Sequence, residues 1–173
     1  MAVADREVSM FTDKYHWAKL THLQVGRYAE YAVKMELVRA GLDVFTAEVD
    51  DKGIDFVIRR DSCTYFDIQV KSVRGFNYVF LQKDKFALRD NMFAAVVAFF
   101  DGKPPSMYLI PATAWSVPSA LLVDREYAGK ASKPEWGINL SAKNLPLFEP
   151  FGFDVGVRSL LGDDDDPPRG PIP

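Results

Sequence analysis

Three polar side chains interrupt two segments that otherwise have the apolar composition of buried strands. Asp55 begins one segment, and Gln69 and Lys71 alternate with apolar residues in the next. A charge buried in a strand is costly unless it is paired or binds a metal. Residues two apart on a strand project from one face, so Gln69 and Lys71 place an oxygen ligand beside an ammonium. With a carboxylate opposite them, such a set can hold a divalent metal and a water nucleophile against a phosphate.

Each of these residues also has an ordinary structural interpretation. Asp55 follows a turn and could cap it with an Asx-type hydrogen bond to nearby N–H groups. Gln69 and Lys71 could belong to a half-exposed sheet face that carries a Lys–Asp cross-strand pair. The apolar flanking strands argue against this second interpretation, because they would leave a polar stripe without solvent.

A fourth candidate, Glu30, lies on a predicted helix rather than on a strand. It is at the edge of an apolar stripe that includes Val33 and Leu37. An ion pair with Arg27 or Lys34, three and four residues away along the helix, also explains Glu30 adequately. Its interest lies in the order along the chain, which is helix carboxylate, strand Asp and then strand Gln-x-Lys.

The chain resembles the PD-(D/E)XK nuclease superfamily, in particular its resolvase-like and Gln-x-Lys branches. The resemblance covers about residues 24–111, and it is carried by Glu30, Gly53-Ile54-Asp55 and Ile68-Gln69-Val70-Lys71. It implies a three-layer α/β fold with a restriction-endonuclease-like core, αβββαβ, in which helices flank a mixed central sheet. It also implies metal-dependent hydrolysis of phosphodiester bonds of DNA, including branched or structured nucleic acid, by a protein of a superfamily that frequently forms homodimers.

The resemblance implies a role for each candidate residue. The side chains of Asp55 and Gln69 would bind Mg²⁺ or Mn²⁺, with help from the carbonyl of Val70. Lys71 would orient the attacking water together with the metal, and Glu30 would hold a metal-bound water or a second metal.

Gln69 is where the chain departs from the superfamily pattern, which has Asp or Glu at this position. An amide oxygen is a neutral and weaker ligand for a hard cation than a carboxylate is. The alternative function is therefore a nuclease-like domain with little or no catalysis, which binds nucleic acid or protein. The retained pair of Asp55 and Lys71 favours the enzyme.

The charge of the chain is weak evidence about a nucleic-acid partner. The net charge is −3, but residues 163–173 contain four consecutive Asp residues and end in a Pro-rich sequence, and without them the chain is neutral. We expect this segment to be a disordered, solvated tail. A local group of basic residues interleaved with aromatic ones could contact a phosphate backbone. Its candidate members besides Lys71 are Arg74, Lys83, Lys85 and Arg89.

Length and composition indicate one domain over residues 1–162. A chain of 173 residues with 48% hydrophobic residues is long and apolar enough for a full core. A single cysteine, Cys63, excludes an internal disulfide framework and suggests a reducing, cytoplasmic location. The longest apolar run, residues 92–100, is too short to span a membrane.

The apolar pattern predicts elements that would position these residues. Gly26 opens a predicted helix over residues 27–40, which Gly41 ends. Strands are predicted over residues 43–49, 54–60, 64–73, 78–82, 92–100, 107–110 and 137–140. Short helices are predicted over residues 83–91, 112–115 and 119–127. Residues 112–160 contain no readable motif, and residues 141–153 are expected to close the domain.

Overall fold

A computed structural model describes residues 13–46 and 53–162 of the protein. The predicted tail, residues 163–173, lies outside the described residues, as does most of the turn before Gly53. Two 3-10 turns, Asp13–Tyr15 and Trp17–Lys19, lead into the first long helix. No helix in the described part of the chain is long and apolar enough to cross a membrane.

Helix α1, His22–Arg39, begins earlier than the sequence pattern predicts. Thr21 and Gln24 form a capping box, in which the Gln24 N–H donates to Thr21 Oγ1 and the Thr21 N–H donates to Gln24 Oε1. Gly26 is therefore inside the helix rather than at its start. The predicted end is confirmed, because Gly41 has a φ of +88° and donates its N–H to the carbonyl of Val38.

The central sheet has five strands in the order β1-β2-β3-β5-β6. The strands are β1 (Asp43–Phe45), β2 (Phe56–Arg59), β3 (Tyr65–Arg74), β5 (Met92–Phe99) and β6 (Ser106–Pro111). Strand β3 pairs in parallel with β5, and every other neighbouring pair is antiparallel. All eight residues of β5 are buried, as its unbroken apolar composition predicts. The mixed sheet flanked by helices confirms the predicted α/β fold class.

The second sheet has three strands in the order β4-β8-β7. These strands are β4 (Tyr78–Gln82), β7 (Leu122–Arg125) and β8 (Glu135–Asn139). The prediction of a helix over residues 119–127 is wrong, because Leu121 and Leu122 are buried against this sheet and the segment forms β7. The prediction of a helix over residues 83–91 is also wrong, because the segment is a turn followed by irregular backbone. Along the chain, the segment that connects the parallel strands β3 and β5 therefore contains strand β4 rather than a helix.

The two faces of the central sheet are covered differently. One face packs against α1 and a second helix, α2 (Phe153–Leu161), which the sequence pattern did not predict. Gly156 allows this packing, because a Cβ there would lie 2.6 Å from the Cβ of Leu109 on β6. The other face packs against the three-stranded sheet and the 3-10 segments Ala112–Ser116 and Leu145–Phe151. The layers are thus two helices, a five-stranded sheet and a smaller sheet.

The alternation of β3 assigns its side chains to these two faces. Ile68 and Val70 belong to the core beneath the helices, whereas Val73 belongs to the core beneath the smaller sheet. Because strand side chains alternate, Gln69 and Lys71 project to the side of the smaller sheet.

Candidate active site

Strands β2 and β3 separate at Asp55, and this separation opens the candidate site. The backbone pairing of β2 with β3 runs from Arg59 back to Phe56, and the Asp55 N–H still donates to the carbonyl of Ile68 at 2.9 Å. Two residues further along β3, the Val70 N–H donates to the Asp55 carboxylate at 2.5 Å instead of to a strand carbonyl. The carboxylate thus takes the place of a partner strand and is fixed by the backbone of β3.

A cleft of about 320 Å³ lies at this separation. The residues that line it come from β3, from β4 and from the turns beside them. They are Gly53, Asp55, Gln69, Val70, Lys71, Phe80, Gln82 and Lys85. The structure therefore brings together Asp55, Gln69 and Lys71, the three residues that the sequence pattern singles out.

Gln69 is the most unusual residue of the cleft. Its side chain is 7% exposed, and its Oε1 atom is buried without a hydrogen-bond donor among the described residues. Native structures leave few buried polar atoms without a partner, because each costs about 1–3 kcal/mol. The orphaned oxygen can therefore accept a partner from outside the described residues, such as a cation.

Gly53 makes room for the Gln69 amide. A Cβ at Gly53 would lie 3.0 Å from Gln69 Nε2 and 2.9 Å from the Cβ of Lys85. Gly53 also has a φ of +74°, a backbone conformation that is unfavourable for residues other than glycine. Glycine is thus required here both by the turn and by the close approach of the cleft side chains.

Glu30 is not among the residues that line the cleft. Its carboxylate accepts a hydrogen bond from Arg27 at 2.8 Å, which is the ion pair that the sequence offers as its ordinary explanation. Helix α1 covers the face of β3 that carries Ile68, whereas Gln69 and Lys71 project from the other face. The role of Glu30 as a ligand stays a prediction.

The basic residues predicted to contact nucleic acid fall into two pairs. Lys85 lines the cleft, and Arg74 lines a groove that adjoins it. Lys83 instead bonds to Asp124 at 2.6 Å and to Glu126, and Arg89 pairs with Asp67. Burial alone would lower the pKa of Lys83, but its bonds to these two carboxylates outweigh burial and raise it. The charges of Lys83 and Arg89 are thus already compensated.

The oxygen atoms of the cleft fit a weakly held, hard divalent cation. The chain offers the Asp55 carboxylate, the orphaned Gln69 Oε1 and the backbone of Val70 at one place. Within residues 13–46 and 53–162, no group of three or more His, Cys, Asp or Glu side chains is arranged to hold a metal. Mg²⁺ needs no such cage, because it is often bound through one or two carboxylates, waters and the substrate phosphate.

Sequence reasoning missed Gln82, named Phe80 only as one of the aromatic residues interleaved with the basic group, and did not assign Gly53 to the site. The approach of β4 to the cleft could not be read from local pattern, because it depends on the pairing of β4 with β8 some 55 residues later in the chain. The alternation of β4 is the one signal available. Phe80 and Gln82 alternate along β4 with Val79 and Leu81, which are buried, so they must face away from that core.

Comparisons with known proteins give a distant likeness to solved structures. No family model matches the chain, and no curated protein matches it. The chain is similar to a solved structure of Hjc, a Holliday junction resolvase from Archaeoglobus fulgidus, with 17% sequence identity and a TM-score of 0.48. The similarity covers 79% of this chain and 95% of that one. A likeness at this level does not extend to activity, so the function must be inferred from the cleft itself.

Proposed function

We propose that the protein is a divalent-metal-dependent endonuclease that hydrolyses phosphodiester bonds of DNA in the cleft beside Asp55. The observation that supports this most is the orphaned Gln69 Oε1, which is buried in the same cleft as the Asp55 carboxylate and the Lys71 ammonium. Two oxygen ligands beside a cation suit a phosphate with its metal better than they suit an apolar or cationic ligand.

Each residue of the cleft has a task that follows from its chemistry. Asp55 and Gln69 hold the metal, and the Val70 N–H fixes the Asp55 carboxylate in the orientation needed for this. When bound, Mg²⁺ or Mn²⁺ supplies Lewis-acid chemistry at the phosphate. Lys71 donates to the attacking water and stabilises the negative charge that grows on the phosphate oxygens. Lys85, from the rim of the cleft, attracts the phosphate.

Some predictions attach to this proposal without a test in the structure. They are one nuclease-like domain over residues 1–162, a cytoplasmic homodimer, and Glu30 as a ligand of a water or a second metal. For Glu30 to act in this way, its carboxylate would have to leave Arg27.

The second candidate function is a nuclease-like module that binds nucleic acid or protein without cleaving. The observation that favours it is the small charge of the cation site, since Asp55 is the one carboxylate among the described residues that line the cleft. A neutral amide at Gln69 lowers the affinity for a hard cation relative to a carboxylate.

A cleavage screen separates the two functions. We expect cleavage of at least one substrate among linear duplex, branched, flapped and single-stranded DNA, and only with Mg²⁺ or Mn²⁺ present. Asp55→Ala and Lys71→Ala should each reduce the rate by about a thousandfold or more, which corresponds to roughly 4 kcal/mol of transition-state stabilisation. Binding without cleavage by the parent protein would favour the binding module.

The matched controls are Asp84→Ala and Lys133→Ala. These residues form an exposed ion pair at 2.8 Å and do not line the cleft, so they repeat the same chemical changes elsewhere. Both should cleave at the parental rate. A parental rate in Asp55→Ala or Lys71→Ala would show that the site is assigned wrongly.

A further inference from the structure

The cleft continues into a second groove on the far side of Lys71 and Phe80. This groove has a volume of about 420 Å³, and its lining includes Arg74 and Tyr78. Lys71 and Phe80 line both cavities, so the two adjoin along β3 and β4, and together they are called the joined groove. The site proposed for catalysis occupies one end of it.

The joined groove is more positive than the rest of the chain. The whole protein has a net charge of −3, yet the described residues that line this groove include three Lys or Arg side chains and one carboxylate. The cations are Lys71, Arg74 and Lys85, and the carboxylate is Asp55. Arg74 donates to the backbone carbonyl of Leu20, a neutral acceptor that leaves its charge in place. A polyanion suits such a surface.

Phe80 is a large apolar side chain in the middle of this cationic groove. It is 47% exposed, although its neighbours Val79 and Leu81 are buried in the core. Strand β4 holds it rigidly, because β4 pairs with β8 along its whole length. An exposed ring on a rigid strand between cations offers a flat face to a ligand that is both aromatic and anionic.

Tyr78 and Gly137 form the support beside Phe80. Gly137 is opposite Phe80 in the ladder, and a Cβ there would lie 2.0 Å from the Tyr78 Oη. The tyrosine ring therefore lies where a side chain of residue 137 would be. Its hydroxyl donates to the Glu135 carboxylate at 2.7 Å, which fixes the ring within the groove wall.

We propose that this groove binds a single-stranded segment of nucleic acid, with one base stacked on Phe80. Its phosphates lie along Lys85 and Lys71 and extend toward Arg74, whose guanidinium bonds to the Leu20 carbonyl on the helix side of β3. A duplex keeps the faces of its bases stacked on one another, so only an unpaired base offers a face to Phe80. The inference rests on the proposed function for the scissile phosphate, and it narrows the substrate to DNA with an unpaired strand at the cleft.

Binding measured in EDTA tests this inference without cleavage. The probes are a fluorescently labelled single-stranded oligonucleotide of mixed sequence and the same strand in a duplex. Phe80→Ala should weaken single-strand binding roughly ten- to a hundredfold, because stacking on an aromatic side chain contributes about that factor per base. Duplex binding should change by less than about twofold in the same variant, since no base face reaches Phe80 in a duplex.

Two further variants make the result specific. Phe80→Trp keeps an aromatic face and should bind the single strand within about threefold of the parent. Phe76→Ala removes a ring that is 49% exposed but contacts Phe100 instead of lining the groove, and it should bind like the parent. A fluorescent adenine analogue in the strand should be quenched by the parent protein and less quenched by Phe80→Ala.

Three results would overturn the inference. They are no single-strand binding by the parent, equal losses in Phe80→Ala and Phe76→Ala, and equal losses for single strand and duplex in Phe80→Ala. Failure of the proposed function is distinguishable from these results. If no DNA is cleaved but Phe80 still determines single-strand affinity, the enzyme proposal fails while the groove stands as a binding site.

Discussion

Glu135 and Gln69 are buried to the same degree, at 8% and 7% exposure, but the structure satisfies them differently. The Glu135 Oε1 atom accepts hydrogen bonds from the hydroxyls of Tyr78 and Tyr127 at 2.7 and 2.8 Å. The Gln69 Oε1 atom has no donor among the described residues. The fold can therefore supply hydrogen-bond donors to a buried acceptor that serves stability, as it does for Glu135.

Asn144, the third buried polar residue of the described chain, behaves like Glu135. Its amide donates to the carbonyls of Ala120 and Asn139 at 3.2 and 3.0 Å. At Glu135 itself, burial and the hydrogen bond to this carboxylate raise the pKa of Tyr78, so the tyrosine hydroxyl remains a donor well above neutral pH. Gln69 is therefore the exception, and it lies in the cleft that also contains Asp55 and Lys71.

Removing Glu135 should have the largest effect on stability. In Glu135→Ala the two tyrosine hydroxyls lose a charged acceptor, so we expect the free energy of unfolding to fall by about 2–3 kcal/mol. Urea denaturation followed by circular dichroism measures this. Glu126→Ala is the control, because its carboxylate is 67% exposed and its ion pair with Lys83 is worth less than about 1 kcal/mol. Equal losses in both variants would mean that the Glu135 bonds are not structural.

Replacing Gln69 should have a smaller effect on stability, with the opposite sign. In Gln69→Leu a side chain of similar size loses its orphaned oxygen, so the free energy of unfolding should stay the same or rise by up to about 1 kcal/mol. The same urea titration measures it. A loss as large as that of Glu135→Ala would show that the Gln69 amide is a structural group, and the comparison would break down.

The sequence predicts the surroundings of Gln69 better than those of Glu135. The alternation of β3 and the position of Asp55 just before β2 were readable, because strand period and turn signals are local. The partners of Glu135 were not, because Tyr78 lies 57 residues away and Tyr127 follows β7, which has the composition of a short helix. Helix α2 was also not predicted, because it contains Gly156 and glycine weakens a helix. The reason for glycine at this position is the close packing against Leu109, which is distant in the sequence.

The same limit applies to the candidate site. The sequence predicts that Asp55, Gln69 and Lys71 share one face of a hairpin, and the structure places them in one cleft. It offers both an ion pair with Arg27 and a ligand role for Glu30 but cannot decide between them, because the decision depends on which face of the sheet α1 covers. Nor could it distinguish Lys85 from Lys83, whose carboxylate partners come from β7 and the residue after it.

Calorimetric titration with Mn²⁺ tests most directly whether Gln69 and Asp55 hold a metal. The parent protein should bind one Mn²⁺, and Asp55→Ala and Gln69→Leu should each bind it at least about tenfold more weakly, because each loses an oxygen ligand. Asp84→Ala, which removes an exposed carboxylate outside the cleft, should bind as the parent does. Absence of binding by the parent, or equal affinity in the parent and Asp55→Ala, would contradict the account.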